Sequence, residues 1–398
     1  MSGDLLIHGA GAVLTGELEH PRATGDAVLI REGRISALGA LEDIRPDEAI
    51  PTVDVGGATV APGLIDPHTH PVLGDYTPRQ GAAGWITNYL HGGVTTLISA
   101  GEPHWPGRPR TAAGVKAVAI AAHQSARNLR PGGAKLHGGA LLLEAGLTAA
   151  DFDDMHAAGV WLLGEIGLGG VVDAEDVMPM VAWARDRGWI VPMHIGGASV
   201  PGSAVVGAEL ALAIQPHVAC HTNGGPTARP LAEIEQILDG TQAAIEVVQA
   251  GNIRALRDIV ALLRSRDSVD RLQIGTDTPS GTGVIPLGML RTIAYCCALG
   301  GLEPDLAICA ATGQTAARYN LESGRVAVGA PGDIVVLDAP VGGTTTTALD
   351  ALATGDVPGV AMVVVDGEVQ ITKSRMSPPP ICTVELTGAG QASPEGVA

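Results

Sequence analysis

The chain has 398 residues, a length that suits one large domain with a small one, or two domains of medium size. Hydrophobic residues make up 46% of the chain and aromatic residues only 3%, so the core must be built from Ala, Val, Leu and Ile. The formal charge of −18 argues against nucleic acid or an anionic membrane surface as a partner.

Both ends of the chain predict short strands separated by turns. Residues 27–39 contain two apolar runs around a Glu-Gly turn, which is the pattern of a β-hairpin. Residues 325–337 and 361–370 show the same alternation of apolar runs and glycine-containing turns. We therefore predict one small β-sandwich domain built from both termini, residues 1–60 and 323–375.

The middle of the chain, residues 61–322, alternates strand and helix signals. Eight apolar runs that suit strands end at residues 70, 99, 137, 165, 194, 221, 248 and 277. Helical stretches lie between them, at residues 113–128, 174–188 and 229–239. Eight strands with intervening helices predict an α/β fold in which this segment is a (β/α)₈ TIM-like barrel. Residues 376–398 are predicted to be a C-terminal tail, either an extended strap or a disordered terminus.

Cysteine usage and apolar patterning predict the compartment. The five cysteines include an adjacent pair and no Cys-x-x-Cys, which does not suit a disulfide framework. The first residues lack a basic leader, and no apolar run approaches the ~20 residues that span a bilayer. We expect a soluble, cytoplasmic protein.

The segment His68-Thr69-His70 follows an apolar run, so both histidines stand at a strand end. Side chains two residues apart share a face of a strand, and two imidazoles on one face can offer two nitrogens to one divalent metal. Taken alone, the pattern is more simply explained as two polar residues at a strand end. The catalytic groups of a barrel collect at the carboxyl ends of its strands. Four further residues also close predicted strands: Glu165, His194, His221 and Asp277.

Four histidines and two carboxylates are too many ligands for one tetrahedral ion, and they suit two metals a few ångströms apart. The more buried metal is assigned to His68, His70 and Asp277. The other metal is assigned to His194 and His221. Glu165 is predicted to bridge both, since one carboxylate has two oxygens.

Two aspartates carry further predictions. Asp277 is expected to be catalytic as well as a ligand, because it could accept the proton of the attacking water and pass it to the leaving nitrogen. Asp66, two residues before His68, is either an orienting residue for that histidine or a strand cap.

Several of these motifs together resemble the amidohydrolase superfamily. They are the segment 62–70, the later Glu, His, His and Asp, and the segment 332–338. Many members place a carboxylated lysine at the end of strand four, where this chain has Glu165. Four longer stretches are similar to the enamidase branch, which uses a glutamate bridge: residues 74–80, 101–109, 221–227 and 279–288.

The resemblance implies a binuclear-metal hydrolase that opens a cyclic amide or enamide ring. For the enamidase branch it implies conversion of 6-oxo-1,4,5,6-tetrahydronicotinate to 2-formylglutarate and ammonia. It also implies two divalent ions per chain, with zinc first and iron as the alternative, and a homotetramer. The functions left open are hydrolysis of another cyclic amide, imide or lactone, a deaminase activity and, from a different class, a non-catalytic scaffold.

A ring carboxylate on such a substrate suits a planar guanidinium, which can bind it with two hydrogen bonds. Each candidate contact could instead be a surface or structural residue. The candidate substrate contacts are Tyr76, Arg79, His104, Arg108, His137, Asn223 and Ser280.

Overall fold

The computed structural model describes residues 3–46, 49–71, 82–101, 108–198, 204–224, 227–279 and 283–388. The N-terminal part contributes short strands and one short helix. These elements are β1 (Leu5–His8), β2 (Ala12–Val13), β3 (Ala27–Arg31), β4 (Arg34–Gly39), α1 (Leu41–Ile44), β5 (Thr52–Asp54) and β6 (Thr59–Pro62). β3 and β4 pair antiparallel around Glu32 and Gly33, which both have positive φ, so the predicted hairpin is confirmed.

The middle of the chain alternates strands with helices. Its elements are β7 (Leu64–Thr69), α2 (Ala82–Leu90), β8 (Val94–Ser99), α3 (Ala112–Asn128), β9 (Lys135–His137), α4 (Ala149–Ala157), α5 (Ala174–Asp186), β10 (Pro192–His194), α6 (Ala208–Ile214), β11 (Val218–Cys220), α7 (Leu231–Gly240), β12 (Ala244–Val248), α8 (Ile253–Ser265), β13 (Leu272–Gly275), α9 (Gly288–Ala298), α10 (Pro304–Ala310) and α11 (Gly313–Arg318). The three predicted helices correspond to α3, α5 and α7.

The central strands pair in parallel, in two sheets with the orders β7-β8-β9 and β10-β11-β12-β13. The strand predicted to end at residue 165 does not form a regular strand. The backbone N–H groups of Leu163, Gly164 and Glu165 donate in turn to Ile190, Leu141 and Ala100. An inner strand bonds alternately to its two neighbours, but Glu165 donates to Ala100 instead of returning to the segment of Ile190, and the segment makes only isolated parallel bridges.

The C-terminal part returns to the N-terminal strands. Its elements are β14 (Ile334–Asp338), α12 (Ala348–Thr354), β15 (Gly359–Val365), β16 (Glu368–Ile371) and β17 (Glu385–Thr387). Together they complete two five-stranded sheets, with the orders β17-β5-β1-β3-β4 and β16-β15-β14-β6-β2. One hydrophobic cluster contains residues of both sheets, among them Ile7, Ile30, Val60, Val336 and Val364.

The segment after β16 lies against the rest of the molecule. The Ser374 hydroxyl donates to the carbonyl of His91, and Pro380 forms a bridge with Pro340. Residues 389–398 of the predicted tail lie outside the described residues. None of the described helices combines the length and apolar character that crossing a bilayer requires.

Candidate metal centre

The ends of β7 and β13 are tied together, and this brings Asp277 to the two histidines of the His-x-His pair. The carboxylate of Asp66 accepts hydrogen bonds from the backbone N–H of His68 at 3.2 Å, and from the N–H and hydroxyl of Thr276 at 3.1 and 2.5 Å. The N–H of Asp277 donates to the carbonyl of His68 at 2.9 Å. Asp277 Oδ1 therefore lies 3.2 Å from Nε2 of His70 and 3.6 Å from Nε2 of His68.

Glu165 lies at the centre of the cluster and is buried. Its backbone N–H is held by the carbonyl of Ala100, at the end of β8. Its Oε2 lies 3.3 Å from His68 Nε2 and 3.9 Å from His70 Nε2, whereas its Oε1 lies 2.9 Å from His221 Nε2. The two oxygens thus face different histidines, as a bridging carboxylate must.

His194 closes β10, and His221 follows β11. Nε2 of His194 lies 3.0 Å from the carbonyl oxygen of Gly197, which can only accept, so the hydrogen of this ring belongs on Nε2. The lone pair of His194 Nδ1 then faces Nε2 of His221 at 3.0 Å. Two acceptors therefore lie close to His221 Nε2, namely His194 Nδ1 and, at 2.9 Å, Glu165 Oε1. One proton on Nε2 can satisfy only one of them.

Two residues of the site adopt a backbone conformation that non-glycine residues rarely adopt. His221 has a φ of 33° and Asp277 a φ of 57°. Non-glycine residues held at positive φ cost free energy, and they concentrate at functional sites.

The carboxylates of the cluster are held in their ionised forms. Burial opposes ionisation of Glu165, but the positive charges of His68 and His221 outweigh it and hold the pKa of Glu165 well below its usual range. Burial also opposes ionisation of Asp277, yet the hydrogen bond with His70 and the nearby histidine charges lower its pKa to about 2. Both groups are therefore anionic at neutral pH.

Burial and the same nearby charges also shift the pKa values of the histidines. Burial disfavours a charged His68, but the carboxylates of Glu165 and Glu246 raise its pKa well above the ordinary value. The pKa of His221 is raised because Glu165 again outweighs burial. Burial lowers the pKa of His194 to about 4, which keeps that ring neutral. The negative potential that retains a proton on His68 would also stabilise a bound cation.

The donor set fits divalent metal ions. His68 Nε2 and Oε2 of Glu165 are buried and have no hydrogen-bond partner among the described residues, which is costly unless something else satisfies them. Imidazole nitrogens and carboxylate oxygens are ligands that zinc and iron accept. Two groups of three residues have ligand atoms within 4.8 Å of one another: His68, Glu165 and His221, and His68, His70 and Asp277.

A third group contains two residues that were not predicted from the sequence. Cys220 and Glu246 lie beside His68 with ligand atoms within the same 4.8 Å. Burial raises the pKa of the Cys220 thiol well above its ordinary value, so this sulfur is protonated. The sequence signal for Glu246 is a lone carboxylate in the middle of the apolar strand β12.

Arg108 is placed beside the loop that leaves Glu165. Its Nη1 lies 2.6 Å from Oε1 of Glu144, and both side chains are about nine-tenths buried, with exposures of 9% and 10%. Its Nη2 is buried and has no hydrogen-bond partner among the described residues. A Cβ on Gly169, four residues after Glu165, would come within 2.8 Å of that nitrogen, so Arg108 lies directly against this loop.

Two of the other predicted substrate contacts, Asn223 and His137, have partners of their own among the described residues. The side-chain amide of Asn223 is paired with the backbone of Val248, donating to its carbonyl at 3.0 Å and accepting from its N–H at 2.8 Å. The ring of His137 packs edge-on against Trp161, with centroids 5.8 Å apart. Four candidates lie outside the described residues: Tyr76, Arg79, His104 and Ser280.

Comparisons with known proteins identify the family of the chain. A model of the amidohydrolase family matches residues 207–369. The chain is 43% identical to enamidase from Eubacterium barkeri over 374 residues, which is 94% of this chain and 97% of that protein. It is 29% identical to adenine deaminase from Deinococcus radiodurans over 351 residues, 84% of this chain and 59% of that protein. The crystal structure of an enamidase matches with a TM-score of 0.92 and 42% identity, covering 96% of this chain and 100% of the other.

Proposed function

Because the chain belongs to the amidohydrolase superfamily and is an enamidase-like hydrolase of C–N bonds, we propose that it opens a six-membered cyclic enamide that carries a carboxylate. The proposed substrate is 6-oxo-1,4,5,6-tetrahydronicotinate, and the products are 2-formylglutarate and ammonia. The observation that carries the proposal is the placement of Glu165, whose two oxygens face different histidines at 2.9 and 3.3 Å.

The proposed cofactor is a pair of divalent metal ions, zinc or alternatively iron. When bound, such a pair polarises an amide carbonyl and activates a water molecule. Glu165 would bridge the two ions. One ion would be held by His68, His70 and Asp277, and the other by His194 and His221.

Asp277 is the proposed proton carrier. It is the most exposed of the contacting cluster residues, with 23% of its side chain accessible against 8% or less for the others, so a substrate can reach it. Its pKa of about 2 keeps the carboxylate ionised and ready to accept a proton from the attacking water. The water oxygen bonds to the ring carbonyl carbon, the C–N bond breaks, and Asp277 passes its proton to the departing nitrogen. The freed enamine tautomerises to an imine, and a second water releases ammonia and leaves an aldehyde.

Arg108 is the proposed anchor of the substrate carboxylate. Its charge is balanced by Glu144, while its buried Nη2 keeps a hydrogen-bond donor that the described residues do not use. A carboxylate at that position would gain a charge-assisted hydrogen bond. Tyr76, Arg79, His104 and Ser280 remain proposed substrate contacts from the sequence.

The finer architecture is part of the same proposal. We interpret residues 61–322 as a (β/α)₈ barrel, which the parallel bridges Leu162–Ile190 and Thr69–Thr278 support by linking the two central sheets. The terminal segments 1–60 and 323–375 would form a β-sandwich. A homotetramer and a cytoplasmic location are proposed from the enamidase resemblance.

The decisive assay is turnover of a six-membered cyclic enamide carboxylate by the purified protein, with and without a metal chelator. Ring opening and ammonia release are measured separately. We expect both, and we expect the chelator to abolish both. Ammonia without ring opening would favour a deaminase. Ring opening of an imide or lactone alone would favour that substrate class, and inactivity of the metal-loaded protein on all of these rings would favour a scaffold.

A further inference from the structure

A buried carboxylate on β12, that of Glu246, contacts His68 at the ring nitrogen opposite the one that lies near Glu165. We propose that Glu246 is a positioning residue, which fixes the orientation and tautomer of His68 and thereby raises the affinity of the centre for metal. This inference rests on the proposed metal centre.

The contact with His68 defines which ring nitrogen carries the proton. Glu246 Oε2 lies 2.9 Å from Nδ1 of His68, and both side chains are 1% exposed. An ionised carboxylate can only accept a hydrogen bond, so Nδ1 carries the hydrogen. Nε2 is then the ring nitrogen that would give up its hydrogen to a metal, and it lies 3.3 Å from Oε2 of Glu165. Carboxylates bound to the outer nitrogen of a ligating histidine fix its tautomer and ring orientation in this way.

Glu246 also holds a second histidine of the centre. The same Oε2 accepts a hydrogen bond from the backbone N–H of His221 at 3.2 Å. The backbone carbonyl of Glu246 accepts from the N–H and hydroxyl of Thr222 at 2.8 and 2.7 Å. These bonds secure the turn in which His221 has its positive φ. One side chain therefore supports histidines that come from two separate strands.

The charge of Glu246 adds to the negative potential of the centre. The described residues that contact its carboxylate are His68, His221 and Gln273, and none of them is a lysine or an arginine. Together with Glu165 and Asp277, Glu246 makes a third carboxylate in a buried region. Several carboxylates buried close together are unfavourable, and a divalent cation on the far side of His68 would compensate their charge.

The test is a cobalt titration of the metal-free protein, followed by visible absorbance and by metal content after dialysis. Glu246→Gln removes the charge but preserves the shape of the side chain. Asp333→Asn is the matched control, since Asp333 is also a buried, hydrogen-bonded carboxylate, paired with Lys135 at 2.6 Å and distant in the fold, on the terminal sheets. We expect Glu246→Gln to raise the cobalt Kd by about 10- to 100-fold, and Asp333→Asn to leave it within about twofold of the wild type.

Glu246→Asp provides a second variant if the glutamine variant does not fold. It keeps the charge but withdraws the carboxylate from His68, so we expect shifted cobalt absorption bands as well as a raised Kd. The inference is overturned if the Glu246 variant that folds binds cobalt with the wild-type Kd and spectrum. It is also overturned if the wild-type spectrum shows a thiolate-to-cobalt band that Cys220→Ser removes, because the metal would then lie on the Glu246 side of His68. A wild-type protein that binds no cobalt would instead contradict the metal centre of the proposed function.

Discussion

Replacing Arg108 with methionine separates its structural role from its proposed role in binding substrate. Arg108 and Glu144 form an ion pair at 2.6 Å in which each side chain is about nine-tenths buried. Removing the arginine leaves the Glu144 carboxylate buried without its cation. The single variants Arg108→Met and Glu144→Gln, and the double variant that combines them, therefore form an informative set.

The stability change follows from the burial of the pair. Removing one partner of a buried ion pair costs about 3–5 kcal/mol, and the remaining tenth of exposure places Arg108→Met near the lower end, at about 3 kcal/mol. The double variant leaves no buried charge, so its free energy of unfolding is expected to lie within about 1 kcal/mol of the wild type. Urea unfolding of the three variants measures these values.

The kinetic change follows from the lost hydrogen bond to the substrate. A hydrogen bond to a charged group contributes about 1.5–3 kcal/mol, and every 1.4 kcal/mol is a factor of ten. For a cyclic enamide that carries a carboxylate, we expect KM to rise about 10- to 100-fold in both Arg108→Met and the double variant. The same ring without the carboxylate is the control substrate, and its KM should stay nearly constant. Equal losses on both substrates, or recovery of KM together with stability in the double variant, would refute the role of Arg108.

Three further predictions concern other parts of the molecule. Asp277→Asn should lower kcat by about 10²- to 10⁴-fold while the thermal midpoint is retained, and kcat within tenfold of the wild type would contradict its proton-carrying role. Burial lowers the pKa of His137 to about 4, below the ordinary 6.5. Between pH 6.5 and 4 the unfolded chain therefore binds a proton that the folded protein does not, and the free energy of unfolding falls as the pH falls. His137→Gln should remove that part of the loss between pH 6.5 and 4 in urea unfolding and leave kcat/KM at pH 7.5 unchanged; a large fall in kcat/KM would instead make His137 a substrate contact. Lys135→Met removes the partner 2.6 Å from the buried Asp333 carboxylate and should lower the free energy of unfolding by about 2 kcal/mol without changing kcat. Lys116→Met breaks a more exposed pair and should lower it by under about 1 kcal/mol. Equal losses would show that burial does not decide the difference.

The sequence predicts the candidate metal ligands because each of them stands at the end of an apolar run, where a strand is expected to end. His68, His194 and His221 lie in or directly after short parallel strands, and parallel strands present their carboxyl ends on one side. Asp277 follows β13 in the same way. The helices at 113–128 and 174–188 were also predictable, since their apolar residues recur with helical spacing.

Contacts between distant parts of the chain were not predictable in the same way. His68 and Glu246 are 178 residues apart, and a single carboxylate in an apolar strand does not show which side chain it meets. The pairing of the Asn223 amide with the backbone of Val248 is another contact that its place after a strand does not indicate. The predicted strand that ends at Glu165 is irregular because the backbone N–H of Glu165 donates to Ala100. This hydrogen bond depends on how distant segments pack, which local apolar patterning does not encode.

The central claim is that side chains from separate strands together hold two divalent cations, with Glu165 between them. The most direct measurement is recovery of activity in the metal-free protein as zinc or iron is added in known equivalents per chain, with bound metal determined at each step. We expect activity to reach its plateau at two bound ions per chain, and Glu165→Gln to hold fewer than two under the same conditions. Full ring-opening activity in the metal-free protein, or a plateau at one bound ion, would contradict it.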